Sequence, residues 1–162
     1  MFALYCSCHK DAKTNGNSCS LSKHVICTVN NKIINANNNV YTSVGACPMP
    51  CPIITIQASV GIAPHDTTIH LLISATSTGT YYLGKWGGKR DSTHMWSGEA
   101  SYIISHGPSV REGYLTDSLY NGTMTITKFD KENKEIIGTF SFAGRRDTIT
   151  LQVTNGSFEV CY

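Results

Sequence analysis

Long apolar runs, helical periodicity and strong net charge are all missing from this 162-residue chain, and each absence excludes a class of protein. No apolar run approaches the roughly 18–20 residues that a bilayer-crossing helix needs, so no helical membrane span is expected. Charged residues make up only 15% of the chain, and Lys plus Arg exceed Asp plus Glu by 13 to 11. That near-balance supplies no field to steer nucleic acid or an acidic substrate, and no nucleic-acid partner is expected. The chain also lacks a G-x-S-x-G nucleophile elbow, an H-E-x-x-H metal helix, a phosphate-binding glycine loop and a kinase signature. No internal repeat and no second domain stand out.

What is present is β-forming sequence broken by polar turns. His24–Val29 and Lys32–Ala36 read as strands around Asn30-Asn31, a pair that tolerates left-handed backbone. Ile53–Ser59, Thr67–Ser74, Thr80–Trp86 and Ala100–Ser105 follow by β-branched and aromatic content, and Gly113–Asp117 leads into the last third. Prolines 48, 50 and 52 forbid helix and disfavour a central strand between the second and third of these groups.

The last third, Asn121 to Tyr162, carries the clearest pattern. Thr123–Phe129 and Ile136–Phe142 flank a charged turn, Asp130–Lys134. Thr148–Thr154 then faces Ser157–Tyr162 across Asn155-Gly156, a dipeptide suited to a type I′ hairpin. Counting by twos, Ile136, Gly138, Phe140 and Phe142 share one core face, Ile149, Leu151 and Val153 another, and Phe158 and Val160 a third. The expected architecture is all-β: an antiparallel sandwich of about ten strands ending in a four-stranded meander, with a closed barrel as the alternative.

The first residues read differently. Met1–Tyr5 is a short apolar fragment running into Cys6-Ser-Cys8-His-Lys-Asp11, followed by a polar stretch, which resembles a truncated export signal with a bacterial lipobox. Cys8, preceded by small Ser7, is the expected lipidated residue, with Cys6 as the fallback. The missing basic segment leads us to expect a misplaced start or an incomplete N-terminus. The organisation expected is therefore a signal remnant at 1–8, a flexible tether at 9–23 and one all-β domain at 24–162, held at the bacterial envelope, periplasmic or surface side, through a lipid anchor in the membrane.

Seven cysteines suit an oxidising compartment. Setting aside Cys6 and Cys8, five remain, namely Cys19, Cys27, Cys47, Cys51 and Cys161, and connectivity cannot be read from sequence. Cys47 and Cys51 are the expected disulfide pair, because a turn through Pro48-Met49-Pro50 brings them close. The same three sulfur residues, Cys47, Met49 and Cys51, offer a soft-metal reading, but the spacing is not the C-x₂-C of many structural zinc sites, and no metal or cofactor is expected.

The segments Cys27-Thr-Val-Asn-Asn-Lys32, Gly79-Thr-Tyr-Tyr-Leu83, Gly122-Thr-Met-Thr-Ile-Thr-Lys-Phe-Asp130, Ile137-Gly-Thr-Phe-Ser-Phe142 and Thr154-Asn-Gly-Ser-Phe158 together resemble a family of small uncharacterised lipoproteins from Bacteroidetes-type bacteria, across roughly residues 24 to 162. That resemblance implies a signal and a lipid-bearing Cys, often followed by Lys and Asp as in Cys8-His-Lys-Asp11, ahead of an all-β domain. The family's function is unknown, so no catalytic residue is carried over. The extra cysteines of this chain depart from the pattern.

Acid–base residue types occur as His65-Asp66 with His70 and as Asp91 with His94, without a surrounding catalytic pattern. Aromatic and basic residues cluster instead between 81 and 96: Tyr81, Tyr82, Lys85, Trp86, Lys89, Arg90 and Trp96 form the candidate binding patch for a glycan, polyanion or protein ligand. A solvated loop beside core aromatics would give the same composition. Asn121-Gly-Thr123 and Asn155-Gly-Ser157 match glycosylation sequons and are read as turns. The expected function is a non-enzymatic binding or structural module on an envelope lipoprotein, the alternative being a small envelope enzyme or soft-metal-handling protein.

Overall fold

Asn30 and Asn31 both adopt left-handed backbone, at φ 45° and 67°, and this closes β1 (His24–Val29) tightly onto β2 (Lys32–Ala36) with Val29 opposite Lys32. Asparagine reaches that region more cheaply than most residues, so the turn follows from the dipeptide. The protein is described here by a computed structural model covering residues 19, 23–37, 39–45, 52–63, 65–88, 90–92 and 95–162. The remaining strands are β3 (Val40–Gly45), β4 (Ile53–Ile62), β5 (His65–Ser74), β6 (Gly79–Leu83), β7 (Gly98–Ser105), β8 (Arg111–Leu115), β9 (Gly122–Asp130), β10 (Glu135–Arg146) and β11 (Ile149–Cys161). There is no helix among the described residues.

All eleven strands belong to one sheet, ordered β2-β1-β11-β10-β9-β6-β7-β5-β4-β3. Every ladder is antiparallel except one bridge, where Leu83 of β6 meets Gly98 of β7 in parallel. The short β8 pairs with β7 over five positions and touches β10 where Leu115 meets Arg145. Val25, Ile54, Ile69, Leu71, Ile73, Met124, Ile126, Ile136, Phe158 and Val160 are buried together in one apolar cluster drawn from both ends of the strand order. The sheet therefore folds over on itself around a single core and is sandwich-like. No ladder joins its edge strands β2 and β3 among the described residues.

The C-terminal third departs from expectation at Asn155-Gly156. Instead of a hairpin, these residues lie inside the continuous thirteen-residue β11, and the chain reverses earlier, at Asp147 (φ 53°), with Arg146 opposite Ile149. The expected four-stranded meander is thus three strands, β9, β10 and β11. Asn155, at φ 51°, forms a bulge: Phe140 pairs with Gly156 and Phe142 with Val153, one extra residue on β11. The register of β1 shifts at the same place, between Ile26 and Thr28. The physical reason is core phase. Leu151 and Val153 are buried at odd positions, Phe158 and Val160 at even ones, and only an inserted residue puts both pairs on one face. Ile149, expected in the core, lies at the reversal and is 57% exposed.

The charged turn at Asp130–Lys134 forms as expected. The Asp130 carboxylate accepts from the backbone N–H of Glu132 and Asn133 at 3.1 and 2.9 Å, and Lys134 takes φ 56°, a compact turn built by a local carboxylate.

Candidate functional site

The long connection from β6 to β7 is shaped by glycines and by one indole. Gly84 donates its N–H to the Gly98 carbonyl at 2.9 Å, Gly88 to Lys85 at 2.8 Å, and Trp96 to Gly88 at 3.1 Å. Ser97 donates to Tyr82 at 2.9 Å, and Ser74, at the end of β5, to Ser97 at 2.8 Å. Beneath this, Thr116 is buried, and its hydroxyl donates to the Gly84 carbonyl at 2.8 Å while accepting from the Ala100 N–H at 3.0 Å. A buried hydroxyl satisfying two backbone groups anchors the base of the loop to the sheet.

Trp96 folds back over Gly84. A Cβ at position 84 would lie 2.1 Å from the Trp96 Cδ2, so the indole occupies the space a side chain would need. Trp96 is only 9% exposed, and its Nε1–H has no hydrogen-bond partner among the described residues. Together with Tyr81, Trp86, Met95, Ser74, Gly87 and Ser97 it lines an open cleft of about 460 Å³. Tyr81 is held by its hydroxyl, which donates to the Ser77 carbonyl at 2.7 Å, whereas Trp86 is 36% exposed and Met95 52%. Two tryptophans, a tyrosine and a methionine thus meet around a space open to solvent, with serines at its margin. Such surroundings hold an apolar or ring-faced ligand by dispersion and by C–H contacts with the aromatic faces.

The structure divides the expected binding patch in two. Of the patch, Tyr81, Trp86 and Trp96 come together in the cleft, where Met95 and Ser74 join them. Tyr82 lies on the other side of β6, because neighbouring strand residues alternate faces. It lines a separate depression with Asn121, Thr123, Ser141 and Gln152. Arg90 covers it, with the guanidinium carbon 4.0 Å from the ring centroid, and is ion-paired with Asp91 at 3.2 Å. Lys85 is exposed. Lys89 and His94 lie outside the described residues, as do Cys6, Cys8, Cys47, Met49 and Cys51.

The acid–base groups do not converge either. His65 and Asp66 are consecutive on β5 and so face opposite sides. Asp66 and His70 share a face but lie four residues apart, roughly 13 Å on an extended strand. Asp66 accepts from the Thr68 hydroxyl at 3.3 Å, and the His70 side chain makes no hydrogen bond among the described residues. Burial holds its pKa below the ordinary histidine value, with Glu99 acting in the opposite sense. No group of three or more His, Cys, Asp or Glu side chains is placed to hold a metal among the described residues.

One disulfide is present where sequence could not assign it: Cys19 joins Cys161 across 142 residues, with Cα atoms 5.9 Å apart. Cys27 is a buried free thiol, and burial pushes its pKa up to about 12, which leaves it protonated and inert.

These features define an all-β domain with an aromatic cleft carried by one long loop. The chain belongs to a family described as a domain of unknown function (DUF6252), which it matches over residues 52–160. That span takes in β4 through almost all of β11, and so includes the cleft loop. No curated protein and no solved structure was found to match the chain.

Proposed function

We propose that this protein is a lipid-anchored lipoprotein of a Bacteroidetes-type cell envelope whose β-domain binds glycan in the cleft between Trp86 and Trp96, without catalysing a reaction. The observation that carries the binding reading is the convergence of Tyr81, Trp86, Met95 and Trp96 on one open space of about 460 Å³. Aromatic faces stack on the apolar C–H faces of sugar rings, while Ser74 and Ser97 at the margin suit sugar hydroxyls. His65 faces away from Asp66 and His70, and those two stand roughly 13 Å apart along β5, a spacing that supports binding rather than turnover.

The disulfide supports an envelope location, since such bonds persist in oxidising compartments. It also bears on the anchor. With Cys19 fixed to Cys161, the chain from a lipidated Cys8 to the pinned residue spans eleven steps, at most about 40 Å fully extended. The domain would then stay close to the membrane surface.

Two experiments test this reading. Mass spectrometry of the mature protein from its native host should find Cys8 acylated as the first residue; an intact N-terminus with an unmodified Cys8 overturns the anchor. Calorimetric titration with a panel of neutral oligosaccharides should give saturable binding to at least one; heatless titrations across the panel overturn the neutral-glycan reading of the cleft.

A further inference from the structure

A second concavity lies on the outer face of β4, β5, β7 and β8. Gln57, Asp66, Thr68, His70, Ile103, Ser105 and Arg111 line a half-open groove of about 300 Å³. Strand register assembles it: His70 stands opposite Gln57, Thr68 opposite Ser59 and Ile103, and Arg111 opposite Ser105. Thr68 donates to Asp66 at 3.3 Å, so its 2.9 Å contact with the Ser59 hydroxyl has Ser59 as donor. Asp66 is thereby engaged within the protein.

Arg111 is not. Of the four arginines, Arg90 pairs with Asp91, Arg145 with Asp117 and Arg146 with Glu112. Arg111 has no acidic partner among the described residues. The neighbouring Glu112, which alternation turns to the opposite side of β8, is occupied by Arg146 at 3.0 Å and His106 at 3.4 Å.

We infer that this groove binds the carboxylate of an acidic sugar, with Arg111 as the fork for the carboxylate and Gln57, His70 and Ser105 as partners for the ring hydroxyls. A guanidinium presents two parallel donors that match a carboxylate. Gln57 and a neutral imidazole each offer both a donor and an acceptor, as sugar hydroxyls require. Ile103 supplies an apolar floor for a ring face. Arg111 is the one arginine or lysine lining this groove, and with Asp66 beside it the groove suits a monoanion and disfavours a doubly charged phosphate. The inference rests on the glycan reading for its ligand class, but on different residues. Ser74 of the aromatic cleft lies four residues beyond His70 on the same strand and by alternation on the same face, roughly 13 Å away, a separation that one oligosaccharide can span.

The test is calorimetry on the full chain with an oligogalacturonate of about six sugars and with its fully methyl-esterified counterpart, which removes the charge and keeps the rings. The acid should bind about tenfold or more tightly than the ester, the scale of one charge-assisted hydrogen-bonded pair. Arg111→Gln should abolish that difference and Arg111→Lys should restore part of it, with melting temperatures unchanged because Arg111 is exposed and has no acidic partner among the described residues. Equal binding of acid and ester by the unaltered protein overturns the groove; if that binding is lost in Trp86→Ala, the aromatic cleft stands without it. An acid preference that depends on Arg111 establishes the groove whatever Trp86→Ala does to it; the cleft is tested separately by the ester, whose binding should weaken in Trp86→Ala, and an ester affinity unchanged in that variant removes the cleft. A preference that survives Arg111→Gln overturns this assignment, and absence of binding by both probes overturns it as well.

Discussion

The indole of Trp96 lies against Gly84 so closely that a Cβ at residue 84 would fall 2.1 Å from its Cδ2. This contact sets one wall of the aromatic cleft, because the ring can reach that position only over a residue without a side chain. Gly84→Ala should therefore displace the indole and destabilise the domain by about 1–3 kcal/mol, the usual cost of overpacking. Denaturant unfolding and tryptophan emission check it together. An unchanged midpoint and spectrum would contradict the contact.

Thr116 should matter by a separate route. Its hydroxyl is the hydrogen-bond partner of both the Gly84 carbonyl and the Ala100 N–H. Thr116→Val keeps the shape and leaves both backbone groups unpaired, so a loss of about 1–3 kcal/mol is expected. Thr116→Ser, which keeps the hydroxyl, should recover most of it. Equal stability of the valine and serine variants would show that the hydroxyl does not brace the loop.

Reduction of the Cys19–Cys161 disulfide removes a cross-link that closes nearly the whole chain. A loss of about 2–5 kcal/mol is expected from the release of the unfolded chain, read as a lower melting temperature in reductant or in Cys161→Ser. Identical melting curves with and without reductant would mean that the bond does not form in the folded protein.

The pH dependence has a definite sign. Burial lowers the His70 pKa, so protons bind the unfolded state more readily there. The stability linked to His70 is complete above the unfolded value near 6.5 and is lost as pH falls through the lower folded value. The Asp117 carboxyl is also held below its ordinary value, first by the Tyr120 N–H and then by Leu119 and Arg145. Its contribution is complete above about 3.8 and is lost as pH falls below that. Denaturant midpoints should thus decline in two stages, one below pH 6.5 and one below 4. His70→Gln should flatten only the first, and Asp117→Asn should reduce only the second.

The parts of this fold that are legible in sequence are those where one dipeptide or one alternation decides the outcome. Asn30-Asn31 makes its turn because both residues must take positive φ and both do. Asn155-Gly156 carries the same local signal and makes a bulge, because β1 and β10 flank β11 on both sides of it and hold the strand straight. The evidence for a bulge lies in the switch of buried positions from odd, at Leu151 and Val153, to even, at Phe158 and Val160. At the site, Tyr81, Trp86 and Trp96 are identifiable by residue type. Met95 and Ser74 are not, because separate segments converge there only through the pairing of β5, β6 and β7. The alternation that puts Tyr81 beside the cleft also removes Tyr82 from it. Arg111 stands out only once the other arginines have found acidic partners, one of them 28 residues away. The match to Cys161 is likewise a product of topology, since β11 ends where the N-terminal segment enters.

The most direct measurement of the central claim is oligosaccharide binding by the unaltered protein, Trp86→Ala and Tyr82→Ala side by side, in the same buffer and with folding verified by circular dichroism. Trp86 borders the cleft, and Tyr82 lies on the opposite side of β6 under Arg90. The account predicts that Trp86→Ala weakens neutral-glycan binding by about tenfold or more, the scale of one lost aromatic contact, while Tyr82→Ala leaves it within about twofold. Binding that is indifferent to Trp86, or that is lost with Tyr82 instead, would contradict it.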